Sequence, residues 1–388
     1  MFYLILITVI GINIAPFFSA KNMLFFWNAQ GLWAQFWILV CFSWSFFEKP
    51  RFESPRNVSL GLLHLWVGGL TWFSCMLVQY KGGYNVRALL PYFNFLCLVI
   101  LYRMIVQYLN IKQIHTVYVF LRYSIIATLI LSGLQFLGLS QFFQLIHPNY
   151  QGDGGQFVNN LVSGFIGNGT HLSGFLAMCI PLFLYEKKRE NVIALILLGI
   201  ILLLSGQTKG DIPISGIIVA VGIFLFYLWN INKRFFSGTV LLFIIASVFV
   251  WIYTPRHSLQ LLFHPNGRYG WWKDFLVASK GTFLTGSGYG SVFWTGVKTK
   301  YPMHLHNEYI QFLVEGGLIG LILILNVAWE FLRTSHSKMG LMYKAMFFGF
   351  LISSMFTYPM HLWLPASYAC VSYAVVVAMK ERENVSNS

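Results

Sequence analysis

The sequence predicts an all-α, polytopic integral membrane protein with about 12 transmembrane helices and one long loop segment, about 255–305, on the outer face of the membrane. Three observations support this fold class. The 388-residue chain is 57% hydrophobic and 10% charged, whereas soluble domains carry about 25% charged residues. Its mean hydropathy is +0.65. Apolar runs of about 17–25 residues, long enough to cross a bilayer as helices, recur along almost the whole chain.

The apolar windows set the individual spans. The first starts at Phe2 and has no basic leading region and no small-residue cleavage site before Lys21, so we expect a transmembrane helix rather than a signal peptide. The five cysteines fall inside apolar runs without CxxC spacing, which predicts packing residues rather than disulfides or a metal site. The predicted spans are 2–19, 23–47, 58–79, 88–108, 115–140, 160–185, 191–205, 213–231, 236–254, 307–332, 340–358 and 361–379.

The basic residues set the orientation of these spans. Most of the 26 Lys and Arg residues form short clusters on one side of the membrane, whereas the short loops opposite contain only Lys21, Lys81, Arg87 and Lys209. Positive residues mark the cytoplasmic side, so both termini are predicted to be cytoplasmic. Because this topology accounts for most of the net charge of +14, nucleic acid is not an expected partner.

The outer segment at about 255–305 departs from this pattern. It is long enough to be exempt from the positive-inside rule, and it contains one acid, Asp274, among many aromatic residues. A basic, aromatic surface suits an anionic ligand that carries sugar rings. Alternatively, the aromatic residues form an interfacial belt and the cations contact lipid headgroups. The basic residues of the segment are Arg256, Arg268, Lys273, Lys280, Lys298 and Lys300.

Four motifs follow one another on the predicted outer face. In the last of them, nine residues separate His306-Asn307 from Gly317-Leu-Ile-Gly320. Together the motifs resemble those of the bacterial O-antigen ligase and polymerase family over about 160–320, although Lys209 stands where the family usually has arginine. Lysine keeps the charge but lacks the forked geometry that binds two phosphate oxygens. The other motifs are Gly164-Phe-Ile-Gly-Asn-Gly-Thr-His-Leu-Ser-Gly174, Leu204-Ser-Gly-Gln-Thr-Lys-Gly210, and Gly267-Arg-Tyr-Gly-Trp-Trp272 with Leu284-Thr-Gly-Ser-Gly-Tyr-Gly290.

The resemblance implies a membrane glycosyltransferase. Such an enzyme moves a glycan from a polyprenyl (undecaprenyl) pyrophosphate donor to an acceptor hydroxyl, by a metal-independent, inverting displacement without a cofactor. The acceptor is a lipid A-core sugar for a ligase and the growing repeat-unit chain for a polymerase, and the sequence leaves both open. The expected partners are therefore the lipid-linked donor, the glycan or lipid A-core acceptor, and membrane lipid. The expected location is the bacterial inner (plasma) membrane, with the active site on the periplasmic face.

On this interpretation residues 1–388 form a single membrane domain. Residues 1–159 supply the N-terminal helices, a scaffold and a lipid-side groove. Residues 160–379 form the catalytic half, which includes the outer segment 255–305, and residues 380–388 form a short cytoplasmic tail.

His306 is the predicted catalytic base, because a neutral imidazole can accept the proton of the attacking hydroxyl. Its place at a helix start favours the neutral form, since the N-terminal end of a helix is electropositive. Asn307 is expected to cap the helix, with contact to the acceptor sugar as the alternative. Glu308 either orients His306 or stabilises the helix N-terminus. Glu315 shares its helix face and is expected to line the cavity or pair with a basic residue.

Arg268 is the predicted main ligand of the donor pyrophosphate, because arginine stays charged and can hold two phosphate oxygens. Its alternative role is a salt bridge with Asp274. Lys209 and then Arg256 are the next candidates for the pyrophosphate. His304 is expected to support the acceptor side of the site. No metal ligands are predicted, since the sequence lacks the clustered carboxylates that a Mg²⁺-dependent nucleotide-sugar transferase needs.

Several alternatives stay open at this point. The protein could instead be a transporter or flippase of lipid-linked glycans, which would favour ionisable residues at mid-membrane and two related halves. A protein O-oligosaccharyltransferase is a related possibility within the family. His171 lies at the outer end of a span, where packing in the core or interface is favoured over a place in the active cavity. The glycines at 286, 288 and 290 are interpreted as turn formers.

Overall fold

The computed structural model contains only α- and 3-10 helices as regular elements among its described residues, and none of those residues belongs to a strand. The all-α prediction is therefore confirmed. The described residues are 1–14, 23–52, 60–70, 89–137, 169–186, 189–204, 214–231, 233, 237, 268–288, 305–334, 337–355 and 359–386.

The helices are numbered here in chain order over those residues. The first half contains α1 (Phe2–Ile14), α2 (Met23–Trp44), α3 (Leu60–Leu70), α4 (Leu89–Tyr108) and α5 (Ile111–Phe136). The second half contains α6 (Gly169–Met178), α7 (Ile180–Leu184), α8 (Arg189–Leu204), α9 (Ile214–Ile231), α10 (Arg268–Ala278), α11 (Glu308–Leu332), α12 (Lys338–Ser353) and α13 (Trp363–Ser386). Short 3-10 turns lie at Lys280–Thr282 and Pro359–His361.

Most predicted spans overlap one of these helices. The exception, 236–254, lies almost wholly outside the described residues. By length and composition, three helices in the described part of the chain could each cross a membrane: Ile111–Phe136, Glu308–Leu332 and Trp363–Arg382. These apolar helices are those of an integral membrane protein, while the total of about 12 spans stays a prediction.

The predicted span 160–185 is divided into α6 and α7 in its described part. The break falls at Cys179, two residues before Pro181, whose ring nitrogen has no hydrogen to donate. The backbone groups around the break remain paired, because the Cys179 amide donates to the Leu176 carbonyl at 3.0 Å and the Leu182 amide donates to the Cys179 carbonyl at 3.1 Å. Proline chemistry therefore accounts for the difference from one continuous helix.

Helix α13 forms the centre of the bundle. In its most apolar 18-residue window, 89% of the residues are buried, which is the pattern of a helix surrounded by other helices. It packs against α4 on one side and α12 on the other. Helix α12 in turn packs against α6 and α9. The N-terminal helices and the second half of the chain are thus joined through α12 and α13.

Small residues bring α6, α9 and α12 close together. A Cβ atom on Gly216 would lie 3.0 Å from the Ser173 carbonyl oxygen, and one on Gly349 would lie 3.1 Å from the Cα atom of Met178. Glycine at such positions lets helix backbones approach each other. The close approach fixes α6 against α12, which matters for the position of His171 described below.

Helix α13 continues to Ser386, so most of the predicted C-terminal tail at 380–388 is helical, and its cytoplasmic location stays a prediction. Arg382 explains the continuation. Its guanidinium is buried and donates to the carbonyls of Val106 and Leu109, at 2.6 Å each from Nη2, and to Ala378 at 2.9 Å. These bonds join α13 to the C-terminal end of α4, whose last carbonyls have no partner within their own helix.

The described part of the segment 255–305, for which the sequence predicts a long loop, contains α10 and a 3-10 turn. This helix has a small hydrophobic core of its own. Phe275 from α10 packs against Leu305 and Val314, and all three side chains are buried. The helix is thereby fixed onto the beginning of α11.

Candidate active site

His306 lies directly before α11 in an unusual backbone conformation. Its φ is 53°, and among the described residues it is the one non-glycine residue with a positive φ. L-residues other than glycine seldom adopt this left-handed region, and those that do concentrate at functional sites, where the surrounding structure holds them in place. The imidazole is partly exposed.

The residue before His306 is fixed through both of its backbone polar groups. The amide of Leu305 donates to Oε1 of Gln311 at 3.2 Å, and the carbonyl of Leu305 accepts from the indole N–H of Trp272 at 2.7 Å. Leu305 itself is fully buried. One bond comes from α11 and the other from α10, so both helices determine the direction in which the chain enters His306.

The residues after His306 are fixed as well. The Asn307 side chain accepts from the Ile310 amide at 3.0 Å, which confirms the predicted N-cap, and its Nδ2 donates to the Met355 carbonyl at 3.0 Å. The Glu308 amide donates to the Ser354 carbonyl at 2.8 Å. The start of α11 is therefore bonded to the end of α12, and His306 lies between two constrained neighbours.

Glu308 and Glu315 are both buried, whereas Glu330, the third glutamate of α11, is exposed. The Glu308 carboxylate accepts from the Met360 amide at 2.7 Å, which connects α11 to the turn before α13. Oε1 of the Glu315 carboxylate accepts from Nε2 of Gln311 at 3.5 Å. Glu315 thus contacts the same glutamine that bonds the backbone next to His306.

Helix α11 is broken at Gly317, two residues after Glu315. Gly317 has φ 67° and ψ −176°, which no helix contains. In a continuous helix the amides of Leu318 and Ile319 would donate to the carbonyls of Val314 and Glu315. Here those two amides donate to the carbonyls of residues 283 and 284, at 2.9 and 3.2 Å.

The loop at 283–288 fills this break. Its Ser287 and Gly288 amides donate to the carbonyls of Val314 and Glu315 at 3.0 and 2.9 Å. The loop therefore pairs the two amides and the two carbonyls that lose their partners within α11, so these four backbone groups stay hydrogen-bonded. The indole of Trp66, from α3, donates to the Gly316 carbonyl at 2.8 Å, so an N-terminal helix also contacts the break.

Glycine is required on both sides of this contact. Gly286 has φ 81° and Gly317 has φ 67°. A Cβ atom on Gly286 would collide with the Glu315 carbonyl, and a Cβ atom on Gly317 would collide with the Leu284 carbonyl. The turn-forming role predicted for residues 286 and 288 is confirmed, while Gly290 lies outside the described residues.

His171 is the histidine that the structure adds to the site. Its ring is stacked on the ring of His306, and its side chain is 5% exposed. Helix α12 brings the two histidines together, because Ser353 at its end contacts Gly174 of α6 and the next residue, Ser354, bonds α11. From the sequence alone, packing in the core or interface is the favoured role for His171, so its place beside His306 is a finding of the structure.

The predicted cations are described only in part. Arg268 is the first residue of α10, four residues before the Trp272 whose indole bonds Leu305, so the two share one helix face. Only the backbone of Arg268 belongs to the described structure. Lys209, Arg256 and His304 lie outside the described residues, and their proposed roles stay predictions.

Gln311 and Trp272 are the residues that sequence reasoning missed. A signal for Gln311 was present, since a glutamine four residues after Asn307 and four before Glu315 lies on the same face of an otherwise apolar helix. Trp272 lies in the motif at 267–272, but nothing in that motif indicates which group its indole bonds. Its indole N–H reaches a carbonyl 33 residues further along the chain.

The comparisons with known proteins extend this description. Residues 193–325 match the family model described as O-antigen ligase. The matched segment includes α10, the helix break and the whole sequence from His306 to Gly320, but it begins after His171. No significant match was found among curated proteins.

Proposed function

We propose, on the premise of the match of residues 193–325 to the O-antigen ligase family model, that the chain belongs to this family and transfers a glycan from a polyprenyl pyrophosphate carrier to an acceptor hydroxyl. The constrained position of His306 is the observation that supports the proposal most strongly. It combines a left-handed backbone, hydrogen bonds on both neighbours and a partly exposed imidazole, all inside the matched segment.

In the proposed reaction, His306 accepts the proton of the acceptor hydroxyl while a lone pair of that oxygen attacks the anomeric carbon. The bond between this carbon and the pyrophosphate oxygen breaks, and its electron pair leaves with the carrier pyrophosphate. Attack from the side opposite the leaving group inverts the anomeric configuration. The pyrophosphate leaves with additional negative charge, which nearby cations stabilise.

We assign the leaving-group contacts to Arg268, with Lys209 and Arg256 as further candidates. The support for Arg268 is its location. It lies one helical turn before Trp272, whose indole N–H donates to the carbonyl of Leu305, the residue before His306. A guanidinium in this region can bind two phosphate oxygens at once. In this proposal α10 carries the donor contact, and the base lies directly before α11.

The orientation completes the proposal. With both termini in the cytoplasm, the start of α11 and the segment 255–305 face the periplasm, where a lipid-linked donor meets its acceptor at the membrane surface. The acceptor is either a lipid A-core sugar or the end of a growing glycan chain. Each acceptor gives a different product, so product analysis distinguishes a ligase from a polymerase.

The test uses purified protein in liposomes with a synthetic polyprenyl pyrophosphate oligosaccharide and a core-lipid acceptor. The proposal predicts that free carrier pyrophosphate is released in step with new glycan product. A glycan on the core lipid identifies a ligase, and a ladder of longer carrier-linked chains identifies a polymerase. Movement of intact donor across the bilayer without release of carrier would instead identify a flippase and contradict the proposal.

A further inference from the structure

We propose that Gln311 and Glu315 are positioning residues that hold His306 in its left-handed conformation through a chain of hydrogen bonds. The chain runs from the Glu315 carboxylate to the Gln311 amide and from there to the backbone amide of Leu305. The inference rests on the proposed function in that it takes His306 as the base. It adds two residues that act through His306 without touching the substrate.

The carboxylate determines which way the Gln311 amide points. A glutamine side chain has one accepting and one donating end, whereas an ionised carboxylate only accepts. Nε2 of Gln311 donates to Oε1 of Glu315 at 3.5 Å, and Oε1 of Gln311 accepts from the Leu305 amide at 3.2 Å. Without an acceptor at position 315, the side-chain amide of Gln311 is free to rotate by half a turn. Its N–H₂ group would then face the backbone N–H of Leu305, and neither group can accept.

The chain of bonds is anchored at its far end. Gln311 is 1% and Glu315 0% exposed, so water does not compete for their hydrogen bonds. The backbone of Glu315 is fixed in turn, because its carbonyl accepts from Gly288 at the helix break. The loop 283–288, the break and the two side chains thus connect the middle of α11 to the residue preceding its start.

Trp272 provides an independent second contact to the same peptide unit. It fixes the Leu305 carbonyl from α10, while Gln311 fixes the Leu305 amide from α11. A positive φ at a histidine is unfavourable by itself and persists only where its surroundings enforce it. Two bonds on one side of His306 and the Asn307 cap on the other supply that constraint.

The decisive test is an exchange of the two side chains. Gln311→Glu removes the N–H₂ group and places two buried carboxyl groups against each other. At a pH at which both are ionised, neither can donate, so we expect the transfer rate to fall at least about tenfold. In the double variant Gln311→Glu/Glu315→Gln, the new glutamine donates to the new carboxylate, which still accepts from Leu305. Transfer should return to within about threefold of wild type.

Measurements of kcat and KM distinguish a positioning role from a purely structural one. The single variant should lower kcat with the KM for the lipid-linked donor unchanged, because it displaces the base and leaves the donor site intact. Trp272→Phe keeps the aromatic packing and removes only the indole N–H, and it should show the same pattern. Each variant must elute as a single species in detergent to be compared.

Amide hydrogen exchange gives a readout that does not depend on activity. Exchange at Leu305 and His306 should accelerate at least about tenfold in Gln311→Glu and return to the wild-type rate in the double variant. Failure of the double variant to restore either measurement would overturn the inference. If wild-type protein gives no transfer at all, the proposed function fails while the exchange experiment still tests the hydrogen-bond chain.

Discussion

The imidazole rings of His171 and His306 lie nearly parallel, 7° apart, with their centroids separated by 6.3 Å. His171 belongs to α6, which precedes the family match, whereas His306 lies inside it. The candidate site is therefore built from more of the chain than the matched segment. Helix α12 connects the two parts by contacting both α6 and the start of α11.

We predict that His171→Phe lowers the transfer rate about tenfold or more while the protein stays folded. Phenylalanine keeps a ring that can pack in the buried position and removes both ring nitrogens. The measurement is the rate of carrier pyrophosphate release in liposomes. The matched control is His115→Phe, since His115 contacts Glu186, at the other end of the α6–α7 segment. Equal rates in the two variants would show that the ring nitrogens of His171 have no role.

The glycines at the helix break give a prediction about stability. Gly317→Ala and Gly286→Ala each place a Cβ atom against a backbone carbonyl at a positive φ. We expect each to lower the free energy of unfolding by at least about 2 kcal/mol and to reduce transfer, because the break supports Glu315. Thermal unfolding in detergent measures the first effect.

Gly133→Ala and Gly199→Ala are the matched controls for these substitutions. Both glycines lie inside helices, and a Cβ atom on either would meet nothing within 4 Å. Alanine there should leave stability unchanged or raise it by up to about 1 kcal/mol. Comparable losses in controls and break variants would contradict the structure at residues 283–319.

The break also shows what a sequence can and cannot reveal. Residues 308–332 form one apolar run, and the Asn307 cap at its start was predicted correctly because capping depends on neighbouring residues. The exchange of hydrogen bonds with residues 283–288 was not predictable in this way. It depends on two segments that are about thirty residues apart and that meet only in the folded protein.

The two histidines also differ in how far their place in the site can be predicted from the sequence. His306 was recognisable from its spacing to Gly317, a local pattern. His171 lies far from it in the sequence, and its position depends on the contacts of Gly174 with Ser353 and of Gly349 with Met178. Helix packing of this kind leaves no periodic signal in a single sequence, so an isolated histidine at a helix start is naturally interpreted as a packing residue.

Arg382, which bonds α13 to the C-terminal end of α4, gives a prediction about stability. Arg382→Lys keeps the charge but cannot reproduce the bonds from three guanidinium nitrogens to the carbonyls of Val106, Leu109 and Ala378. We expect a lower thermal unfolding temperature and an unchanged KM for the donor. Lys380→Gln removes a charge from an exposed neighbour and should leave the unfolding temperature unchanged. A lysine variant as stable as wild type would contradict the bonding described for α13.

The single-turnover transfer rate of His306→Ala, compared with wild type and with His115→Ala in the same liposomes, tests most sharply whether His306 is the base. If His306 is the base, the rate falls about 10²- to 10⁴-fold while donor binding and the unfolding temperature stay the same, and His115→Ala matches wild type. Wild-type transfer by His306→Ala would show that bond formation takes place without this imidazole, and the central claim would be wrong.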